Sequence, residues 1–168
     1  MEDEKQGSNA TREITCCFTG HRKIDKRDVA SIKNKTLKVV LSLIQDKGVR
    51  FFGAGGALGF DTIAAEVVLE AKKSFPQVKL ILVLPCKEQT ARWQEEDIAK
   101  YNEIMQQADK YVYTSEHYDR DCMYKRNRHL VNNSKYCICY LTEEKGGTAY
   151  TVKEAEKKGL TIYNVAEM

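Results

Sequence analysis

A strand, a glycine-rich loop and a helix follow one another in residues 49–73, VRFFGAGGALGFDTIAAEVVLEAKK. The mostly apolar stretch at residues 49–52 predicts a short strand, and the glycines after it allow a tight turn that exposes backbone N–H groups. From Asp61 onward, apolar residues recur every three or four positions, which is typical of a helix packed on a sheet. Such a strand–loop–helix unit is the building block of a parallel α/β sheet.

The same alternation extends along the chain. Predicted strands cover residues 14–19, 49–52, 78–84, 110–114, 136–141 and 160–165. Predicted helices cover residues 28–48, 61–73, 89–107, 122–133 and 148–158. This pattern predicts an α/β fold: one Rossmann-like, doubly wound, mostly parallel sheet of about six strands, with helices on both faces. We expect residues 1–12 to be a flexible polar tail and residues 13–168 to be the Rossmann-like domain.

Composition excludes several classes of protein. The net charge of +3 is too small to indicate nucleic acid, and the charges alternate in sign as on solvated helix faces. The longest apolar run, residues 80–85, is too short for a membrane span, and the polar start predicts a cytoplasmic protein. The six cysteines show no CxxC pair and no zinc spacing with the three histidines, so we expect buried thiols and no metal.

Ligands of open parallel sheets bind beyond the carboxyl ends of the strands, an edge that we call the carboxyl edge. Five segments rich in glycine, arginine or polar residues are predicted to meet there, and their convergence is the main indication of a binding site. The candidate ligand-binding residues are Thr19, Gly20, His21, Arg22, Gly55, Gly56, Gly59, Asp61, Arg92, Trp93, Arg126, Asn127, Gly146, Gly147 and Thr148.

The glycine loop, residues 55–59, is the sharpest single motif. It differs from the dinucleotide fingerprint because Leu58 occupies the place of the last glycine, and it lacks the Gly-Lys-Ser/Thr of a Walker A loop. A phosphate cradle is favoured over a plain turn, and a side chain at Gly56 would then occupy the space of the phosphate. Asp61 caps the following helix or bonds a ribose hydroxyl, and capping is the simpler interpretation.

Two interpretations stay open for most of the other candidate residues. Arg22 suits a phosphate clamp because guanidinium pairs with two oxygens at once, whereas His21 is as readily structural as catalytic. Arg92 and Trp93 are predicted in the first turn of the third helix, where the indole either stacks on a base or lies at the edge of the core. Thr148 caps its helix or donates to a phosphate.

Several motifs, in this order and spacing, carry a resemblance to a known family. They are FTGHR at residues 18–22, GGALGFD at 55–61, LPC at 84–86, RNR at 126–128 and GGTAY at 146–150. Over residues 17–165 the chain resembles the SLOG superfamily (Smf/DprA and LOG proteins), and most closely its small YpsA-like group. The resemblance implies a Rossmann-like fold that binds nucleotides or their derivatives, with the double-glycine loops at the phosphates.

Two branches of that superfamily suggest rival functions. LOG enzymes cleave a nucleoside monophosphate at its glycosidic bond, and carry Gly-Gly-X-Gly-Thr followed shortly by a catalytic glutamate. Here Ala149 and Tyr150 replace the glycine and threonine, and residues 151–153 contain no carboxylate for acid–base work. DprA handles single-stranded DNA, and the RNR segment followed by Ser134 resembles its arginine-asparagine-arginine segment. The chain, however, lacks a strongly basic balance.

We therefore expect a module that binds NAD, ADP-ribose or a cyclic relative without turnover, as a sensor or sequestering protein. No cofactor is required and no catalytic residue is predicted. The partner is a small nucleotide rather than nucleic acid or a membrane, and a homo-oligomer is compatible with the sequence. The alternatives are a LOG-like phosphoribohydrolase, for which Glu95, Glu96 or Asp61 would supply the acid, and DprA-like DNA handling.

Specific roles follow from the binding interpretation. Glycines of the loop at residues 55–59 cradle phosphate, and three arginines supply positive charge: Arg22, Arg92 and Arg126. Asn127 and Asp61 contact sugar or base. Thr148 contacts a second phosphate.

Overall fold

Side chains alternate along the first strand, because successive residues of a strand point to opposite sides of the sheet. Cys16 and Phe18 pack on one side and Cys17 packs on the other. All three are almost completely buried. This strand therefore runs through the centre of the molecule and is covered on both faces.

The computed structural model describes residues 8–168, and within that range six strands form one sheet in which all neighbours are parallel. The strands are β1 Thr15–Gly20, β2 Phe51–Ala54, β3 Lys79–Leu84, β4 Lys110–Tyr113, β5 Tyr136–Tyr140 and β6 Thr161–Asn164. Their spatial order is β4-β3-β2-β1-β5-β6. The predicted doubly wound α/β fold is confirmed.

The α-helices of the described residues cover both faces of the sheet. They are α1 Ser8–Arg12, α2 Val29–Lys47, α3 Phe60–Ser74, α4 Glu95–Gln107, α5 Cys122–Asn132 and α6 Gly147–Lys157. On one face α2, α3 and α4 contribute Ile32, Ile63 and Ile104 to the larger apolar core. On the other face α5 and α6 contribute Leu130 and Val152 to the smaller one.

The strand order creates a crevice at the carboxyl edge. The chain builds outward from β1 to β4 and then crosses back, so that β5 pairs with the other side of β1. The helices after β1 and β5 leave toward opposite faces of the sheet. The loops after β1 and β5 therefore diverge at the topological switch point, the usual ligand position in such sheets.

One predicted helix is divided. In place of a single helix over residues 89–107, the structure has a 3-10 helix at Lys87–Thr90 and then α4 from Glu95. Gln94 between them has extended backbone, with φ −67° and ψ 152°. Three consecutive acidic residues follow it, and acids stabilise a helix start because of its positive dipole end.

The predicted tail at residues 1–12 is only partly described. Residues 1–7 lie outside the described residues, and Ser8–Arg12 forms α1. The hydroxyl of Thr15 donates to the carbonyl oxygen of Thr11 at 2.6 Å, which joins this segment to the start of β1.

From residue 8 to the end of the chain, no helix has the length and apolarity needed to cross a membrane. All six cysteines are free and buried.

Candidate functional site

The glycine loop packs tightly against the loop that follows β1. Gly59 precedes α3 with φ 77°, and a Cβ there would lie 2.5 Å from the carbonyl oxygen of His21 and closer still to that of Arg22. The N–H of Phe60 donates to the same His21 oxygen at 3.1 Å. A Cβ at Gly20 would in turn lie 2.5 Å from the Phe60 ring. Glycine is thus required at both positions by contact between the two loops.

The other two glycines of the loop also face protein atoms. A Cβ at Gly55 would lie 2.5 Å from Nη1 of Arg126 and 2.9 Å from Oδ2 of Asp61. Gly56 has φ 73°, and its Cβ would lie 2.5 Å from Cδ2 of Leu84. The space that a side chain at Gly56 would need therefore belongs to the core rather than to a phosphate, contrary to the expectation from sequence.

A buried cation and a buried acid flank the glycine loop. Arg126 is 3% exposed, and its Nη1 donates to the carbonyl oxygen of Gly55. Asp61 is 7% exposed, and its carboxylate accepts the N–H of Ala57 at 3.2 Å. Gly59, rather than Asp61, is the N-cap of α3, so the capping interpretation of Asp61 is wrong. Asp61 instead holds the glycine loop from within the first helical turn.

Burial works against the charged forms of both groups. It raises the pKa of Asp61, although the charges of Arg126 and Arg22 and the N–H of Ala57 act in the opposite direction. It lowers the pKa of Arg126, which Asp61 opposes and Arg22 reinforces. Arginine nonetheless stays protonated in proteins, so the site keeps a buried positive charge.

Two further predicted residues lie with this cluster. Asn127 accepts the Nε–H of Arg126 at 2.8 Å through its Oδ1, and its amide NH₂ is left to donate elsewhere. Arg22 is exposed, yet its charge affects the pKa of both Asp61 and Arg126. The structure therefore brings the RNR segment, the β1 loop and the glycine loop together.

His21 joins the loops on both sides of the switch point. Its Nε2 accepts the backbone N–H of Thr142 at 2.9 Å, and its ring packs edge-on against Tyr140 at 5.7 Å. These contacts fit the structural interpretation of His21. Thr19, two residues earlier in β1, is buried.

Arg92 and Trp93 lie between the 3-10 helix and α4, not in a first helical turn as predicted. Arg92 is exposed. Trp93 is half-buried and packs edge-on against Tyr101, with ring centroids 5.5 Å apart. Both rings line a cavity of about 20 Å³ beside Gly56 and Asp61. The indole therefore lies at the edge of the core, within reach of the glycine loop.

The second double-glycine loop has a different environment. Gly146 has φ 104° and is the N-cap of α6, so Thr148 does not cap this helix. A Cβ at Gly146 or Gly147 would meet no atom within 4 Å. Thr148 is half-buried. This loop faces open space at the end of β5, while the glycine loop at residues 55–59 is packed against protein.

Sequence reasoning missed Gln89. It lies in the 3-10 helix just after β3, is 8% exposed, and its Nε2 donates to the carbonyl oxygen of Gly55 at 3.4 Å. The one available signal was its position, a polar residue shortly after the buried strand that ends just before Pro85.

Comparisons with known proteins agree with this fold. The sequence model of the YpsA SLOG family matches residues 16–166. A UPF0398 protein of Halalkalibacterium halodurans is 33% identical over 135 residues, which cover 79% of this chain and 70% of that protein. A UPF0398 protein of Bacillus cereus is 32% identical over 140 residues, 82% of this chain and 76% of that protein.

Two solved structures share the fold at low sequence identity. DNA processing protein A of Helicobacter pylori matches with a TM-score of 0.63 and 18% identity, over 90% of this chain and 64% of that chain. DNA processing protein A of Streptococcus pneumoniae matches with a TM-score of 0.64 and 15% identity, over 90% and 50%. The chain thus spans about two thirds and one half of those proteins. On the family match and the identity to its relatives, the chain belongs to the YpsA SLOG family.

Proposed function

We propose that this protein binds a nucleotide-derived ligand, such as NAD, ADP-ribose or a cyclic relative, at the carboxyl edge of its sheet. It holds the ligand without turnover, as a cytoplasmic sensor or sequestering protein. The proposal rests on one observation. The guanidinium of Arg126 is buried next to the glycine loop, and few oxygen atoms accept its hydrogen bonds.

Arg126 has capacity for an anion. Its Nε and Nη1 donate to Asn127 and Gly55, but Nη2 donates to the thioether sulfur of Met123 at 3.8 Å, a weak acceptor. Among residues 8–168, no carboxylate lies within 4 Å of this guanidinium. A buried cation is costly unless it is paired, and a phosphate oxygen is a partner of the required charge.

The surroundings favour a diphosphate over a single small anion. Arg22 adds a second positive charge close to Arg126, and the Asn127 amide adds a neutral donor. The start of α3 brings the positive end of a helix dipole to the same loop. The diphosphate of such a ligand carries negative charge that the two arginines attract, and its sugar or base offers groups that an amide can contact.

The carboxylates of the site favour binding over glycosidic cleavage. In α6 the first acid is Glu154, on its second turn, with an oxygen 3.8 Å from Nζ of Lys157. Asp61 is engaged with the N–H of Ala57 and buried. Cleavage of an N-glycosidic bond requires an acid or base within hydrogen-bond reach of the reacting group. A LOG-like phosphoribohydrolase therefore remains the weaker alternative.

Single-stranded DNA handling is the second candidate, and one observation favours it. Tyr124 of α5 and Tyr150 of α6 are about 40% exposed and pack edge-on at 5.3 Å, and Lys125, the residue after Tyr124, is also exposed. Exposed aromatic rings with nearby cations are typical of single-strand binding surfaces. The similar structure from H. pylori is described for its single-stranded DNA binding mode.

Titration calorimetry of two arginine variants tests the proposal. Arg126→Met should weaken ADP-ribose or NAD binding by about 1.5–3 kcal/mol, the range for hydrogen bonds to charged groups. Arg128→Met is the matched control, because Arg128 is an exposed arginine on the same helix, and its effect should be within about twofold. Since Arg126 also holds Gly55, circular dichroism must show that the variant is folded, and Arg126→Lys provides a milder change.

Two outcomes contradict the proposal. One is a wild-type protein that binds neither ligand and carries no nucleotide in native mass spectrometry. The other is a folded Arg126→Met variant that binds as tightly as the wild type.

A further inference from the structure

Gln89 presents an unused acceptor at the glycine loop. Its side chain is more than nine-tenths buried, and its Nε2 donates to the carbonyl oxygen of Gly55. Its Oε1 is buried and has no hydrogen-bond partner among the residues that the structure describes. Buried polar atoms are nearly always paired, so an unpaired one calls for a functional explanation.

The orientation of this amide follows from its neighbour. The Gly55 carbonyl can only accept, so the amide nitrogen faces it and the oxygen must face away. Oε1 consequently lies 3.4 Å from the position that a Cβ would take at Gly56. The acceptor is directed at the loop in which the proposed ligand binds.

An aromatic side chain lies close to the same point, since Cε2 of Tyr101 is 3.3 Å from the Cβ position at Gly56. The cavity of about 20 Å³ beside Gly56 is bounded by Trp93 and Tyr101, and it can hold about one water molecule. Trp93 belongs to the irregular stretch at residues 91–94, between two helices. A ligand ring placed against Tyr101 would need more room than this cavity offers, so Trp93 would have to turn outward to admit it.

We propose that Gln89 selects the ligand at this site, an inference that rests on the proposed function. Its Oε1 accepts a hydrogen bond from an N–H or O–H donor of the nucleotide, either the exocyclic amine of a base or a sugar hydroxyl. Both sources supply the donor that the buried oxygen lacks. A site with such an acceptor rejects analogues without the donor, since their binding leaves the oxygen unpaired.

The test is Gln89→Met, which removes the acceptor and nearly keeps the volume. Stability and affinity should change in different directions. The thermal midpoint of the free protein should stay the same or rise, because an unpaired buried oxygen is removed. The dissociation constant for ADP-ribose should increase about tenfold. The control is Gln94→Met, an exposed glutamine five residues further on, which should change neither.

Two further arms identify the donor and report on the indole. Inosine diphosphate ribose lacks the exocyclic amine of ADP-ribose. If the amine is the donor, wild type prefers ADP-ribose and Gln89→Met loses the preference; if a hydroxyl is the donor, both ligands weaken equally in the variant. Trp93 is the single tryptophan, so its fluorescence should change on binding.

The outcomes separate this inference from the proposed function. If wild type binds ADP-ribose and folded Gln89→Met binds it equally well, the role of Gln89 is refuted and the proposed function stands. A loss of stability without a loss of affinity makes Gln89 a purely structural residue. If Gln89→Met does not fold, Gln89→Asn, which withdraws the same amide from the loop, takes its place. A wild type that binds no nucleotide overturns both proposals.

Discussion

Gly59 combines two constraints that few positions share. Its φ of 77° lies in the region that side chains rarely adopt, and its missing Cβ faces backbone oxygens of His21 and Arg22. Backbone atoms held by β1 cannot move aside as the end of a flexible side chain can. At the residue scale, this glycine therefore sets the distance between the two loops that flank the candidate site.

We expect Gly59→Ala to lower the free energy of unfolding by about 2–4 kcal/mol, from the backbone strain together with the steric overlap. Gly147→Ala is the control, because it lacks a positive φ and its Cβ would meet no atom within 4 Å. As the first residue of α6 it should be neutral, or stabilising by up to about 1 kcal/mol. Urea unfolding measures both, and equal stability of the two variants would contradict the packing described for Gly59.

At the element scale, Asp109 holds three segments together at the edge opposite the candidate site. Its carboxylate accepts the N–H of Leu80 in β3 at 2.8 Å and pairs with Lys72 of α3. Nζ of Lys79 lies 3.8 Å away. Burial alone would raise the pKa of Asp109, but these partners outweigh it and lower that pKa. The folded state therefore favours the ionised carboxylate.

The pH dependence of stability follows from the lowered pKa of Asp109. The contribution of an acid with a lowered pKa is present above its unfolded pKa of about 3.9, and is lost as the pH falls through the folded value. At pH 7, Asp109→Asn should lower the free energy of unfolding by about 1–3 kcal/mol. The difference between wild type and variant should shrink on acidification to about pH 3.

Asp25→Asn is the matched control for this experiment. Asp25 also has a lowered pKa, through its hydrogen bond with Arg27, but this pair is exposed. Exposed ion pairs contribute little, so the variant should unfold almost as the wild type does at both pH values. A difference for Asp109→Asn that did not change with pH would show that its packing, and not its charge, stabilises the protein.

At the scale of the whole molecule, the net charge is only +3, and the two candidate partners differ in the number of phosphates that they would bring to it. A nucleotide diphosphate engages a few charges in one cleft, whereas a DNA strand engages many phosphates over a surface. For single strands the logarithm of the binding constant falls with the logarithm of salt, with a slope of about −0.7 per phosphate contacted.

We therefore predict shallow salt dependence for ADP-ribose, with a loss of less than about tenfold between roughly 50 and 200 mM salt. An oligonucleotide of about 15 nucleotides serves as the comparison, and it should bind weakly throughout. Fluorescence of Trp93 and anisotropy of the labelled strand supply the two readouts. Tight binding of the oligonucleotide that falls by orders of magnitude over this range, with no response to ADP-ribose, would favour DNA handling.

The periodicity of the sequence was sufficient for the architecture. Buried strands such as β3 appear as continuous apolar runs, and helices such as α2 carry an apolar stripe, because both patterns arise from local backbone geometry. The alternation of these elements predicts a parallel doubly wound sheet, and its motifs indicate the family. The largest boundary error lies at the start of α4, where a helix-like pattern continues through an irregular connection. The second strand, predicted at residues 49–52, is also displaced, to Phe51–Ala54.

Contacts between distant segments determined the features of the candidate site that the sequence pattern did not predict. Gly55 and Arg126 are 71 residues apart, and they meet because the strand order brings α5 to the loop after β2. The same packing decides that the glycines of residues 55–59 face protein and those at 146–147 face open space, and it buries Gln89 with one oxygen unpaired. A linear pattern records which residues could serve a site, but burial and hydrogen-bond partners depend on neighbours far along the chain.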